Sequence, residues 1–513
     1  MTNGMNVSRR DLFKFGGLAA ITAAGAGALA GCAPQQKMAS TGAAAAEDGS
    51  TYVGPSFLQK PAEITEFDEE HTYDVVVVGA GESGLSAMHA ALEAGATVGA
   101  LQSLSIVQTA GNMGASIDLT KTNEAGIKAV LSFINYKSDY RANLGQVETW
   151  ARNSQEALAW WAEAAAKGGS ESKPYDYTVN CNGHEVFFHA NTYFHDEGHQ
   201  KGALVIGDAV QAEGAEIFFE TPCVQLLVED GRVAGAIGET KDGAHVLLRA
   251  NKGVIMAAGD YVGDSEMLYY YTPDAKGLHQ AVDFRNGTGL KAAMWAGAQM
   301  CPASHTKMVH GEGPKVRFEM PYLFLDRHGK RFMDENNTYV VKARTTALQT
   351  LDNQAWVIVD SECPVLDKVI AKFDRLHSPY GKADTIEELC KQVNLPEKNV
   401  VKGVKAYNDA LAAGKLEEMV PPCTYKKPHP VAKAPFYAVP FQGGMTATFG
   451  GPLINTKAEI QSLDGGSIPG LYAAGNAAGG IFFFNYAGGA QLGAATVYGR
   501  IAGRELANRA KQN

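Results

Sequence analysis

The chain has 513 residues, with 45 Lys and Arg, 55 Asp and Glu and a net charge of −10. That acidic balance excludes a protein that grips nucleic acid by bulk phosphate neutralisation, and 45% hydrophobic against 19% charged residues excludes a disordered chain. The 57 glycines follow no collagen period and point to tight turns and to backbone passing close to a ligand.

The first 32 residues read as a targeting segment rather than as fold. Ser8-Arg9-Arg10-Asp11-Leu12-Phe13-Lys14 is a twin-arginine pattern. The uncharged stretch from Phe15 to Ala30 is too short and too weakly apolar for a membrane span. It ends in Leu29-Ala30-Gly31-Cys32, which resembles the lipobox of bacterial lipoproteins. The mature chain is therefore expected to be exported and lipid-anchored at Cys32; the alternative is a plain signal cleaved nearby. A twin-arginine route carries folded proteins, which suits a chain that loads a cofactor before export. Removing residues 1–31 takes away three basic residues and one acidic residue and leaves −12. Residues 33–70 read as a tether. Cys181, Cys223, Cys301, Cys363, Cys390 and Cys423 form no CxxC or CxxCH, so they are expected as buried free thiols rather than ligands of zinc, a cluster or haem, with a disulfide among them as the alternative.

Folded sequence is expected from Tyr73. Tyr73-Asp74-Val75-Val76-Val77-Val78 has the composition of a buried parallel strand. Gly79-Ala80-Gly81-Glu82-Ser83-Gly84 follows, then a helix through Glu93 that ends at Gly95, then a second strand at Val98–Leu101. In this strand–turn–helix context the GxGxxG spacing marks a dinucleotide site. Gly79 makes the turn, Gly81 admits a pyrophosphate and Gly84 packs helix on strand, with the helix N-terminus facing the phosphates. The carboxylate expected about 20 residues on is Gln102, whose amide can reach a ribose hydroxyl without charge assistance.

Val147, Trp150, Ala151, Leu158 and Trp161 recur at helical spacing up to Gly168-Gly169, and the tryptophans are expected in the core. His184, His189, His195 and His199 form a His-rich stretch. His195 and His199 have i, i+4 spacing, but Gly198 disfavours a helix, so loop or substrate-pocket histidines are expected and no metal. Val224–Ile237, with Asp230-Gly231 at its middle, reads as a hairpin. Tyr269-Tyr270-Tyr271 flanks the pocket at most. Residues 304–441 lose the Gly-rich punctuation, which resumes at Gly443. The expected fold is α/β: a nucleotide domain in two parts, 71–303 and 442–513, with 304–441 inserted as a second, α+β domain.

Several further motifs join the turn: Val254-Ile255-Met256-Ala257-Ala258-Gly259, Gly287-Thr288-Gly289-Leu290-Lys291, Gly329-Lys330-Arg331-Phe332 through Glu335, Gly450-Gly451, Ile468 to Gly475, and Gly499-Arg500-Ile501-Ala502-Gly503. Together they resemble the flavoprotein subunits of the fumarate reductase and succinate dehydrogenase superfamily over residues 70–513. The resemblance implies a Rossmann-like FAD-binding domain with an inserted cap that carries the substrate. It implies FAD held by Gly79, Ala80, Gly81, Ser83, Gly84, Gln102, Val224, Ala258, Gly259, Gly475, Asn476, Gln491 and Leu492. No second GxGxxG unit marks an NAD(P) site, so a membrane or cytochrome electron partner is expected, with any haem on another chain.

Fumarate-reducing members hold a dicarboxylate with arginines and histidines. The corresponding positions here are Thr338, Tyr486 and Thr446-Ala447, which argues against two carboxylates. The 3-ketosteroid dehydrogenase branch is more similar, with Tyr339 four residues after Glu335, then Asn476, and the run from Asn485-Tyr486 through Ala490. The implied catalytic set is Tyr339, Tyr486, Ala490 and Glu335. The Tyr486 hydroxyl and Ala490 N–H would polarise a carbonyl, and Tyr339 would move a proton at the adjacent carbon. Phe482-Phe483-Phe484 either lines an apolar pocket or packs the core. The expected activity is on a carbon–carbon bond next to the carbonyl of an apolar, 3-ketosteroid-like substrate, with reduction favoured over dehydrogenation. The alternatives are a reductase of a small unsaturated carboxylate, with Arg344 or another arginine substituting, and a non-catalytic lipoprotein that binds an apolar ligand.

Overall fold

The computed structural model describes residues 54–510 apart from 110, 112, 194–197, 276, 277, 281–283, 311–322, 338, 351, 376, 426 and 484–487. The targeting segment, Cys32 and the first part of the tether lie outside the described residues. The end of the tether is packed rather than loose. Phe57 is buried against Tyr270 and Tyr271, and its carbonyl accepts from Trp295 Nε1 at 3.0 Å.

The first strand, β1 (Glu69–Val78), leads through the glycine turn into α1 (Glu82–Glu93) and β2 (Val98–Leu101). β1 and β2 are parallel, with Val75 opposite Val98 and Val78 opposite Leu101. Val75 to Val78 are buried, as an apolar run covered on both faces requires. β3 (Met113–Ile117), α2 (Glu124–Lys137), α3 (Leu144–Lys167), β4 (Ser172–Cys181) and β5 (His184–Tyr193) follow. They build a three-stranded antiparallel sheet, β3-β5-β4. α3 is the expected tryptophan helix; Trp150 and Trp161 are fully buried, and the helix ends at Gly168.

α4 (Gly198–Ala212) begins at the glycine expected to prevent a helix. A glycine at a helix start leaves no interior turn to destabilise. His184 and His189 lie on β5 and His199 on α4, while His195 is outside the described residues. β6 (Glu216–Phe218) is followed by the expected hairpin of β7 (Cys223–Glu229) and β8 (Arg232–Glu239). Asp230 and Gly231 turn it with φ of 50° and 75°, the backbone that a two-residue hairpin turn demands.

β9 (His245–Met256) returns parallel to β1. α5 (Ser265–Tyr271), β10 (His279–Gln280), α6 (Thr288–Trp295) and β11 (Thr306–His310) lead to the inserted segment. That segment holds β12 (Leu323–Leu325), α7 (Tyr339–Gln349), β13 (Ala355–Val359), α8 (Leu366–Arg375), β14 (Gly381–Ala383), α9 (Ile386–Gln392), α10 (Glu397–Ala412) and β15 (Phe436–Phe441). Its sheet runs β12-β13-β15-β14, all antiparallel. Residues from Val309 to Phe441 bury a hydrophobic cluster of their own, around Phe324, Phe373 and Tyr407.

β16 (Gly444–Phe449) pairs back on β11, and β17 (Glu459–Gln461), β18 (Ser467–Ala473) and α11 (Ala490–Ala507) close the chain. The main sheet then reads β17-β18-β9-β1-β2-β6, with the β7–β8 hairpin joined to β9. Among the described residues no helix is long and apolar enough to cross a membrane. The six described cysteines are free and buried.

α11 crosses α1 with almost no side chain between them. A Cβ on Gly499 would lie 2.4 Å from the Ser83 carbonyl oxygen, and one on Gly503 2.3 Å from that of Ala87. The same substitution should therefore change sign with its place. Gly503→Ala forces two backbones apart and should lower stability by about 1–3 kcal/mol. Gly403→Ala on α10, where a Cβ meets nothing closer than 3.8 Å, should raise it by ~0.5–1 kcal/mol. Denaturant titration of both variants checks this; equal effects would refute the close-contact reading.

Candidate cofactor site

The C-terminal end of β1 opens onto an elongated cleft of about 1020 Å³, its open mouth included. Three helices point their N-termini at it, and each is capped by a glycine with no side-chain cap: α1 by Gly81, α6 by Gly287 and α11 by Gly489. Elsewhere, α2, α3, α5 and α9 are capped by the side chains of Asn123, Asn143, Asp264 and Thr385. The cleft thus collects helix first turns whose N-cap residues have no side chain to take up their N–H groups, with the Thr288 N–H reaching Asn286 Oδ1 at 3.4 Å. Aligned helix dipoles make such a place favourable for anionic phosphate.

The glycine positions explain the shape. A Cβ on Gly84 would sit 1.9 Å from the Gly79 carbonyl oxygen, and one on Gly79, at φ +103°, 2.5 Å from that of Ala257. On the opposite wall Gly475 holds φ +72°, and a Cβ there would strike Ser83 Oγ at 2.5 Å. This is a cradle cut to backbone width. It fits a dinucleotide cofactor.

Most of the residues expected to bind the cofactor meet here. Gly79, Ala80, Gly81, Ser83, Ala258, Gly259, Gly475, Asn476, Gln491 and Leu492 all line the cleft, while Gly84 supports the turn from behind. Two positions differ in detail. Gln102 lines the cleft, but its Oε1 accepts the Ala80 N–H at 3.2 Å and its Nε2 donates to the Ile106 carbonyl at 2.7 Å. The amide expected to reach a ribose hydroxyl instead braces the turn against the loop after β2. At the hairpin, Pro222 and Cys223 line the wall, and Val224 falls at a register shift between Cys223 and Gln225. Burial pushes the Cys223 thiol up to about 12, so it is a packing group and not a thiolate.

Sequence reasoning missed a polar chain at the far end of the cleft. Asp260, wholly buried, accepts from Arg285 Nη1 at 2.7 Å and from Asn476 Nδ2 at 3.0 Å. Asn476 in turn accepts from Gln491 Nε2 at 3.0 Å. Burial raises the Asp260 pKa and the guanidinium beside it opposes the rise. Arg285 also donates to the Thr446 carbonyl, so one guanidinium ties the cleft to β16. The only sequence signal was Asp260 directly after Gly259.

The catalytic set is less gathered. Ala490 is the first residue of α11, buried, with an N–H that no intrahelical acceptor can take. Tyr339 is the first residue of α7, with its side chain outside the described set, and Tyr486 lies outside it altogether. Glu335 is wholly buried in the inserted segment and grips the Arg331 guanidinium with both oxygens. Its carboxylate is thus a structural partner of Arg331 and does not line the cleft. Asp334, Glu335 and Cys423 lie close enough for a metal, but Arg331 already neutralises that corner. Phe482 packs edge-on against Trp150 and Phe483 lies under Arg141, so both belong to the core.

The tyrosine run on α5 also finds its place. Tyr271 stacks on His305 with ring centroids 4.5 Å apart. The His305 ring accepts from the Tyr261 hydroxyl at 2.6 Å and faces the Cys301 carbonyl across 2.7 Å, an arrangement for a neutral ring with its proton on Nε2.

The model of the FAD binding domain matches residues 74–492. The chain belongs to that family, the flavoproteins of the fumarate reductase and succinate dehydrogenase superfamily. It is an FAD-dependent oxidoreductase. It is 27% identical to a probable fumarate reductase of Shewanella frigidimarina over 86% of this chain and 75% of that one. It is 26% identical to the digoxin reductase of Eggerthella lenta over 98% and 97%. Its fold is similar to that of 3-ketosteroid delta1-dehydrogenase from Sterolibacterium denitrificans, with a TM-score of 0.71 at 17% identity over 85% and 99% of the two chains.

Burial lowers the His305 pKa from 6.5 to about 4. The folded value lies below the unfolded one, so the unfolded chain binds the extra proton between them. Stability is lost as pH falls from 6.5 towards 4, by up to ~3 kcal/mol from this group. His305→Gln should flatten the stability–pH profile in that window. An unchanged slope in urea titrations from pH 7 to about 4.5 would count against a neutral buried ring.

Proposed function

We propose that the protein exchanges a hydride equivalent across a carbon–carbon bond next to a carbonyl, in an apolar, 3-ketosteroid-like substrate, and works in the reducing direction. The observation that carries this reading is the make-up of β16. Thr446 and Ala447 stand where the dicarboxylate-binding members of the superfamily have histidines. The Thr446 hydroxyl donates to the Met308 carbonyl at 3.3 Å, and Ala447 is a buried methyl. The cations nearby have partners: Arg285 faces Asp260, and Lys307 faces Asp274 at 2.6 Å. Two carboxylates need two cationic partners.

The flavin, when bound, supplies hydride exchange with the beta carbon. The chain's part is to polarise and to move a proton. The Ala490 N–H stands at the positive end of an 18-residue helix, where a developing enolate oxygen is stabilised. Tyr486, four residues earlier, adds the second donor, and Tyr339 at the head of α7 exchanges the proton at the alpha carbon. Export by the twin-arginine route, anchorage at Cys32 and a membrane or cytochrome electron partner belong to the same proposal and rest on the sequence.

A second reading is a reductase of a small unsaturated carboxylate. Arg344 on α7 favours it, because its charge is close enough to Lys307 on β11 to help lower the lysine's pKa after burial has done most of that work. With Lys307 paired to Asp274, Arg344 would be the cation that meets one carboxylate.

Tyr486→Phe keeps the ring and removes the hydroxyl. Its kcat on an enone substrate should fall at least ~tenfold, with FAD content unchanged. A smaller loss would remove Tyr486 from the catalytic set.

A further inference from the structure

Glu82 is an odd residue to find where it is. It is the first residue of α1, lines the cleft and is 5% exposed. A carboxylate there is buried beside the N–H groups that receive a pyrophosphate. It repels that ligand unless something else holds it. Both of its oxygens are held. Oε1 accepts from the Thr496 hydroxyl of α11 at 2.7 Å, and Oε2 meets His199 Nε2 of α4. His199 is fully buried and stacked flat on Trp161 of α3, with centroids 5.1 Å apart and planes at 10°. Four helices therefore meet at one carboxylate, directly behind the phosphate turn.

We infer that His199 is a positioning residue for the cofactor: it holds the Glu82 carboxylate in the α1–α4–α11 junction and so leaves the α1 N-terminus free for the pyrophosphate of FAD. Thr496 supports one oxygen with its hydroxyl, and the imidazole of His199 meets the other through Nε2. Trp161 fixes the plane of the ring, so the donor points at one place. The His-rich stretch thereby gains a role in the cofactor site, exerted through Glu82.

The test is a double-mutant cycle read as FAD affinity, by titrating FAD into the full chain stripped of flavin. His199→Phe keeps the flat ring on Trp161 and removes the donor. It should weaken FAD binding at least ~tenfold, because an unpaired carboxylate then faces the phosphates. Glu82→Gln removes the charge and keeps the shape, and should bind FAD within ~threefold of the parent chain. The double variant should recover most of the loss. His199→Gln, which retains a donor, should also bind FAD close to the parent. Losses that simply add in the double variant, or a His199→Phe protein that binds FAD normally, would overturn the inference. If His199→Phe is insoluble, the double variant is still expected to fold and load FAD, and its failure to do so would overturn the inference too. Because the readout is affinity, an error in the substrate reading leaves the result unaffected.

Discussion

Gly499 and Gly503 let α11 rest on α1 backbone to backbone, with carbonyl oxygens of α1 about where their side chains would be. Much of the site depends on that contact. It sets α11 parallel to α1, with Gly499 beside the start of α1, so that the first turns of both helices border one cleft. Any side chain at the seam would move one helix end away from the other. Around the cleft, Gly79, Gly84, Gly499 and Gly503 each stand where an added Cβ would meet backbone.

A second layer of constraint is polar and buried. Glu82, His199 and Thr496 close the junction behind the phosphate turn, and Asp260, Arg285, Asn476 and Gln491 close the far end of the cleft. In both sets the buried carboxylate meets hydrogen-bond partners on more than one side, which is what burial demands. Arg285 extends the second set to β16, and β16 is paired with β11 at the entrance to the inserted segment. The cofactor cleft and β16 are therefore held by the same guanidinium.

Much of this fold was legible in the sequence because it rests on local rules. The run of valines, the GxGxxG turn and the helix to Glu93 declare a parallel βαβ unit, and β1, α1 and β2 lie where that reading places them. The Asp230-Gly231 hairpin and the Trp150–Trp161 helix are equally local. The contacts that were not legible are long-range ones. Gln102 turns inward because Ala80 and Ile106 offer partners that spacing does not reveal. Glu335 goes to Arg331 four residues earlier in the chain, although its motif suggested the active site. His199 meets Glu82 across 117 positions of sequence, and α4 forms through Gly198 because its first turn tolerates glycine where an interior turn does not. Phe57, in a stretch with the composition of a tether, is fixed by two tyrosines far along the chain.

The claim most open to direct trial is that reduced protein gives its electrons to a double bond activated by a neighbouring carbonyl. The measurement is anaerobic stopped flow. Holoprotein reduced with dithionite is mixed with a 3-ketosteroid enone, fumarate, acrylate or an unactivated alkene, and the return of oxidised-flavin absorbance is followed. The expected result is rapid reoxidation by the enone and none by the unactivated alkene, with fumarate at least ~tenfold slower than the enone for want of paired cations. Reoxidation by fumarate or acrylate faster than by the enone would contradict it.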